Sequence, residues 1–291
     1  MSNQAQTKNR LTISDYSTPM IPTWCPGCGN FGILMALKQA LVELQIQPHQ
    51  ALVVWGIGCN SNMCNWLNVY GIHALHGRAL PVAAGAKFVN PKLTVIAIGG
   101  DGDGYGIGLG HFIHSCRRNL DITYIVHNNQ IYGLTAGQAS PTSDHGAKTK
   151  STPCGVIERP INPIALALSS QATYIARGIA SDVAHLKGLI MAGIQHRGFA
   201  LIDVLQPCVT WNKQNTYEWV KERVYKIEAQ NSRLKAQKYA EEWGDKIPVG
   251  LFYQEERKIY SDEFDHLKKD ECVIEHDISQ IDISGTLEEF V

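Results

Sequence analysis

The sequence predicts an α/β fold with a mostly parallel sheet flanked by helices, and three observations carry that expectation. Apolar runs of strand length stand at 51–55 (ALVVW), 93–98 (LTVIAI), 122–126 (ITYIV) and 199–205 (FALIDVL), each running into a loop of Gly, Asn or Pro. Asp101 lies in the turn after the second run and Asn129 just past the third. The separation of 28 positions from Asp101 to Asn129 fits a turn, a helix and a return strand, the parts of a parallel crossover. A helical apolar pattern (Phe31, Leu34, Met35, Leu37, Leu41) precedes the first run.

At 291 residues, 44% hydrophobic and 18% charged, the chain can bury one large core or two modest ones. With 26 basic and 27 acidic residues the net charge is -1, which gives no electrostatic case for nucleic acid or a membrane surface. Small molecules or proteins are the expected partners. The first ten residues are polar without a signal-peptide core, and no apolar stretch nears membrane-spanning length, so the expected compartment is the cytoplasm. Eight cysteines in such a chain read as metal ligands or inert core thiols rather than disulfides.

Three segments are expected in chain order: an N-terminal arm at 1–24, a cofactor-binding domain at 25–210, and a C-terminal helix with an acidic tail at 211–291. The arm ends in Trp24-Cys25-Pro26-Gly27-Cys28-Gly29, where two thiols two residues apart in a Pro/Gly loop suit chelation. The run at 51–55 ends in Gly56-Ile57-Gly58-Cys59-Asn60, and the run at 199–205 in Gln206-Pro207-Cys208. Turns and strand ends thus let Cys25, Cys28, Cys59 and Cys208 converge. Four thiolates suit either a [4Fe-4S] cluster or a structural zinc, and a zinc site could instead pair Cys25 and Cys28 with Cys59 and Cys64. Spacing alone does not choose. Cys64, outside that zinc alternative, and Cys116, Cys154 and Cys272 are read as structural.

The run at 93–98 opens into Gly99-Gly100-Asp101-Gly102, with further glycines at 104, 106, 108 and 110. Glycines there let the backbone approach a phosphate and aim amides at it. At the carboxyl ends of adjacent parallel strands, Asp101 and Asn129 can offer two hard oxygens and the Ile131 carbonyl a third, a donor set that suits magnesium with a diphosphate. Neither Gly-x-Gly-x-x-Gly over 99–110 nor a Gly-x-x-x-x-Gly-Lys-Ser/Thr motif occurs, which excludes the dinucleotide and P-loop registers. The plain alternative is a Gly-Asp turn with an Asn cap.

Cys25-Pro-Gly-Cys28, Gly56-Ile-Gly-Cys59, His76-Gly-Arg78-Ala-Leu-Pro81, Gly100-Asp-Gly-Asp103, Asn128-Asn-Gln-Ile-Tyr-Gly-Leu-Thr135 and Gln206-Pro-Cys208 occur in an order that resembles the β subunit of 2-oxoacid:ferredoxin oxidoreductases. The likeness spans about residues 20 to 225. It implies the diphosphate-binding half of a thiamine-diphosphate fold, with a [4Fe-4S] cluster on Cys25, Cys28, Cys59 and Cys208. It implies magnesium on Asp101, Asn129 and Ile131. Cofactor contacts are expected from Ile57, Gly58, Cys59, Asn60, His76, Gly100, Gly102, Asp103, Gly133, Leu134 and Thr135. It further implies coenzyme A as co-substrate, ferredoxin as electron acceptor, and an α subunit that bears the activating glutamate, in an αβ or (αβ)2 assembly.

Many relatives carry a basic residue three positions beyond the third cluster cysteine; here Asn62 stands there, while the segment from Trp211 to Trp219 resembles the 2-oxoglutarate branch. The expected substrate is 2-oxoglutarate, with pyruvate or a broad 2-oxoacid range as the alternative. His76 and Asn62 are the candidate substrate-side residues. The rival classes are a thiamine-dependent decarboxylase or synthase without redox, and a zinc-stapled scaffold that is no enzyme. His111 and His114 fit a packed helix face better than a metal site. Residues 217–243 read as one amphipathic helix. From Ser261 acidic residues (Asp262, Glu263, Asp265, Asp270, Glu271, Glu275, Asp277) read as a tail over the domain or its partner.

Overall fold

A computed structural model describes residues 10–230, 232–264, 272–275, 277, 279 and 282–290. Its strands are β1 (Ala51–Trp55), β2 (Tyr70–His73), β3 (Thr94–Gly100), β4 (Thr123–Asn128), β5 (Ile131–Tyr132), β6 (Gln138–Ala139), β7 (Tyr174–Ile179), β8 (Ala200–Leu205), β9 (Val224–Ile227) and β10 (Ile247–Gln254). Eight of them form one sheet in the order β2-β1-β3-β4-β8-β7-β10-β9, and β5 pairs with β6 apart from it. Every pair in the large sheet is parallel except β10 with β7. The four apolar runs of the sequence are β1, β3, β4 and β8, each within a residue or two of its expected bounds.

Those strands are buried on both faces, which is why they read as continuous apolar runs rather than alternating ones. Successive side chains still divide between the faces. Leu52, Val54, Val95, Ala97, Tyr124 and Val126 pack on one side with α2 (Ala79–Val89), α3 (Leu109–Arg118) and α4 (Pro163–Ser169). Val53, Trp55, Ile96, Ile98, Ile125 and Ile202 pack on the other with α1 (Asn30–Glu43) and α5 (Val183–Gln195). In α1 the buried face is Ile33, Leu34, Ala36, Leu37, Ala40 and Leu41, while Phe31 and Met35 from the sequence pattern point outward. In α3 Phe112 is fully buried and His114 exposed, the packed face expected of that segment.

The single helix expected over 217–243 is instead α6 (Tyr217–Arg223), then β9, then α7 (Arg233–Ala240). Val224-Tyr225-Lys226-Ile227 puts two β-branched residues and a tyrosine in a row, and β10 offers them a parallel partner in register from Ile247↔Val224 to Gly250↔Ile227. Charges at helical spacing misled the sequence reading, because a ladder of main-chain hydrogen bonds outweighs a weak helical preference. Of the acidic segment, Asp262, Glu263, Glu275 and Asp277 are described, and Glu275 pairs with Lys92 at 3.1 Å; Asp265, Asp270 and Glu271 lie outside the described residues. Among the described residues no helix is long and apolar enough to cross a membrane.

Candidate functional site

Because β1, β3, β4 and β8 run parallel, the loops that follow them leave at one edge of the sheet. The loop after β1 carries Cys59 and the loop after β8 carries Cys208, while Cys25 and Cys28 sit just ahead of α1. Trp24 Nε1 donates to the Cys59 carbonyl at 2.6 Å and so ties two of these segments together. All four thiols line one cavity of about 270 Å3, along with Asn30, Asn62, Gly133, Leu134 and Gln206. A Cβ on Gly133 would stand 3.6 Å from Cys208 Sγ and 3.7 Å from Cys59 Sγ. Cys64 lies outside the cavity, packed against the apolar face of α1 and β1. Among the described residues no three His, Cys, Asp or Glu side chains converge on a point where a single ion would sit; the thiols ring a space instead. Burial pushes the Cys28 thiol up to about 12, with the neighbouring thiols adding to it, and burial raises Cys59 as well. Without a metal the Cys28 and Cys59 sulfurs hold their protons.

A second cavity adjoins the first. It is lined by Ile57, Gly58, Cys59, Asn60, His76, Gly100, Asp101, Gly102, Asp103, Asn129, Ile131, Gly133, Leu134 and Thr135. Every residue that the family resemblance implied for the diphosphate or its magnesium therefore borders one space, while Gly99 and the glycines at 104, 106, 108 and 110 do not line it. After β3 the chain turns directly into a helix that is wide and π-like over Gly102–Ile107 before α3, so successive amides face the carboxyl edge.

Asp101 is buried on the floor. Its Oδ2 accepts from Ser140 Oγ at 2.5 Å and Thr142 Oγ1 at 2.7 Å, and its Oδ1 from the Asn129 amide at 3.4 Å. Burial outweighs those bonds and lifts its carboxyl to about 6. Asn129 Oδ1 accepts from the Ile131 amide at 3.0 Å, so the three expected oxygen donors are neighbours. Asp103 is a brace rather than a lure for anions: its Oδ1 accepts from the Ile57 amide at 2.9 Å and the Gly77 amide at 2.7 Å, and His76 Nδ1 lies 3.5 Å away. Its Oδ2 would lie 1.9 Å from a Cβ on Gly56, so only glycine fits there. Burial raises the Asp103 carboxyl, against the two amide bonds that lower it. Among the described residues, buried Asn60 Nδ2 and His127 Nε2 have no hydrogen-bond partner, and His76 Nδ1 has only its 3.5 Å approach to Asp103 Oδ1.

The sequence reading missed several residues. Tyr132 Oη donates to the Gly102 carbonyl at 2.9 Å and fixes the glycine turn. Thr142 and Asn128 link the Asp101 carboxylate to the buried pair Arg177–Asp203, whose Nε and Oδ2 are 3.1 Å apart. His127 borders the second cavity and Gln206 borders both. The available signal was adjacency: His127 precedes the Asn pair, and Gln206 precedes Pro207-Cys208. Among the described residues lining the second cavity there is no glutamate.

Residues 55–204 match the family model for the thiamine pyrophosphate enzyme C-terminal TPP binding domain, and residues 208–269 that for the C-terminal part of the pyruvate ferredoxin oxidoreductase beta subunit. The chain is 49% identical over 255 residues to 2-oxoacid:ferredoxin oxidoreductase 1, subunit beta, of Aeropyrum pernix, covering 83% of this chain and 80% of that one. The chain belongs to the family of 2-oxoacid:ferredoxin oxidoreductase β subunits. A second member of this enzyme family, the 2-oxoglutarate oxidoreductase subunit KorB of Mycobacterium tuberculosis, is 42% identical over 73% of this chain and 58% of its own length. Among solved structures, the 2-oxoglutarate:ferredoxin oxidoreductase from Magnetococcus marinus with 2-oxoglutarate, coenzyme A and succinyl-CoA bound matches with a TM-score of 0.89. That match has 35% identity and covers 98% of this chain and 97% of that one. For this β subunit the thiamine-diphosphate-binding fold expected from the sequence is thus the fold found.

Proposed function

We propose that this β subunit holds both cofactors of a 2-oxoglutarate:ferredoxin oxidoreductase, which forms succinyl-CoA by CoA-dependent oxidative decarboxylation or runs the reverse carboxylation. The observation that carries the reading is that four thiols from three separate loops ring one cavity, and that this cavity shares Cys59, Asn129, Gly133, Leu134 and Gln206 with a second one floored by Asp101. Thiols spread around a space suit the sulfur-bridged irons of a [4Fe-4S] cluster better than one tetrahedral zinc, and Cys25, Cys28, Cys59 and Cys208 would be its ligands.

Asp101 is a buried carboxylate whose partners among the described residues are two hydroxyls and an amide, so in its ionised form it calls for a cation. Magnesium held by Asp101, Asn129 and the Ile131 carbonyl would supply it. The loop Ile57 to Asn60, whose Ile57 amide is taken by Asp103 and Gly58 amide by Ser61, would border the diphosphate together with Gly102, Asp103 and the Gly133-Leu134-Thr135 turn, and Asn60 Nδ2, which has no hydrogen-bond partner among the described residues, is a spare donor for it. Bound thiamine diphosphate supplies the electron sink for loss of carbon dioxide. This chain would orient it between Leu134 and Tyr132 and keep the cluster ligands beside it; His76, which lines the second cavity, and Asn62, which lines the thiol cavity, would stand on the substrate side.

An α subunit would bring the activating glutamate and cover exposed apolar side chains at the rim, of which Leu134 is 54% and Leu75 78% exposed. The assembly would be αβ or (αβ)2, with ferredoxin as acceptor. A pyruvate or broad 2-oxoacid range is the second reading, favoured by the uncharged Asn62 at the thiol cavity and by relatives named only for 2-oxoacids. The test is co-expression with the α subunit, purification without oxygen, and viologen reduction with coenzyme A against a panel of 2-oxoacids. Brown protein that bleaches with dithionite and prefers 2-oxoglutarate is expected; colourless, iron-free protein defeats the cluster, and preference for pyruvate defeats the substrate.

A further inference from the structure

We propose that Gln206 sets the reduction potential of the cluster by donating an N–H···S hydrogen bond to Cys28, in an orientation imposed by Asn129. The inference rests on the four thiols holding a cluster. Gln206 is 2% exposed and lies in the wall between the two cavities. Its Oε1 accepts from Asn129 Nδ2 at 3.2 Å, and its Nε2 faces Cys28 Sγ at 3.4 Å and the Pro207 carbonyl at 3.3 Å.

That arrangement leaves the carboxamide one orientation. Turned over, it would set an NH2 group against the Asn129 NH2 and an oxygen against both the sulfur and the Pro207 carbonyl. The backbone and packing hold the stem as firmly. The Gln206 amide donates to the Asn128 carbonyl at 2.9 Å. A Cβ on Gly29, the residue after Cys28, would meet Gln206 Cγ at 2.7 Å and Ala180 Cβ at 3.1 Å. Glycine at 29 is what lets the glutamine stem lie along the cysteine loop.

When the cluster takes up one electron, its added negative charge is shared by the sulfurs. No bond to Gln206 forms or breaks, and no proton moves. A fixed N–H aimed at a ligand sulfur favours the reduced form, because hydrogen bonds to the more negative acceptor are the stronger ones. Hydrogen bonding to the sulfurs is a recognised lever on cluster potential, and in the wall between the two cavities Gln206 is the side chain that holds it. The same residue ties the proposed magnesium ligand Asn129 to a cluster ligand, so the two cofactors share one rigid polar link.

The test uses the complex with its α subunit, purified without oxygen, in wild-type, Gln206→Leu and Gln206→Glu forms. Iron content is measured first, then the cluster midpoint by dithionite titration followed by electron paramagnetic resonance. Leu removes donor and acceptor; Glu keeps the acceptor that Asn129 uses and brings no N–H to the sulfur. Both variants should keep their iron and titrate at a more negative potential. The expected change is about tenfold less reduced cluster at a fixed potential, which is about 59 mV for one electron. Full iron with an unchanged midpoint in either variant overturns the proposal. Loss of iron from both variants also overturns it, since Gln206 would then be part of the ligand scaffold. Wild-type protein without iron refutes the cluster reading itself, an outcome separate from either of these.

Discussion

Replacing Asp101 by Asn should make the metal-free protein more stable while abolishing its response to magnesium. The wild-type carboxyl is lifted from 3.8 to about 6, chiefly by burial. Holding it ionised above that range therefore costs the native state roughly 3 kcal/mol. The sign follows from proton binding. The native state binds this proton more tightly than the unfolded chain does, so stability falls as pH rises from 3.8 to about 6 and is level beyond. Asn has no charge to desolvate, and its oxygen can still accept from Ser140 and Thr142. Its NH2 group would face the Asn129 amide, which costs about 1 kcal/mol. The net gain is about 2 kcal/mol at pH 7.5, or several degrees in Tm for a chain of this size.

The assay is thermal unfolding of the αβ complex in EDTA at pH 5, 6 and 7.5, repeated with Mg2+ and thiamine diphosphate. The variant should melt above wild type at pH 7.5 in EDTA, with the gap closing and then changing sign as pH falls toward 3.8, and should gain nothing from the ligands. A variant that melts at or below wild type in EDTA at pH 7.5, or that retains thiamine diphosphate in a magnesium-dependent way, would refute the account of Asp101 as a buried anion awaiting a cation.

Three further outcomes follow from the geometry. Burial holds His127 down to about 3, so the native state rejects a proton that the unfolded chain takes near 6.5; stability is lost as pH falls through that window. His127→Gln should shift the acid-unfolding midpoint to lower pH, and an unmoved midpoint would contradict the assignment. Cys208→Ser should lose iron whereas Cys64→Ser keeps it; the opposite result in a metal assay would restore the zinc arrangement through Cys64. Gly102→Ala places a methyl 2.3 Å from Tyr132 Cε1 and should weaken thiamine diphosphate retention at least tenfold, about 1.4 kcal/mol, with retention read by gel filtration and thiochrome fluorescence.

The sheet was legible where strands are buried on both faces. The runs at 51–55, 93–98, 122–126 and 199–205 are apolar because all their positions but the partly exposed Leu93 and Thr94 are buried, and each is a strand. The edge was not legible. In β2 every residue is exposed, and β9 carries an exposed lysine among partly buried neighbours, so neither presents an apolar run, and the charges near β9 suggested a helix. In α1 the period was read correctly and Leu34, Leu37 and Leu41 are on the buried face, but Phe31 and Met35 point outward and Ile33 with the small Ala36 and Ala40 completes that face instead.

The sequence by itself determined which residues are the candidates for chemistry: thiols, an aspartate and an asparagine at the ends of buried strands, with glycines beside them. Motifs are local, and residue type and spacing suffice to find them. The tertiary structure alone decided how those groups relate. Parallel pairing of β1, β3, β4 and β8 brings Cys59, Asp101, Asn129 and Cys208 to one edge, and it turns Asp103 into a brace for two loops. It also sets Gln206 between Asn129 and Cys28. Burial, and with it the lifted carboxyl of Asp101 and the neutral His127, depends on everything that surrounds a group, and residues far apart along the chain supply those surroundings.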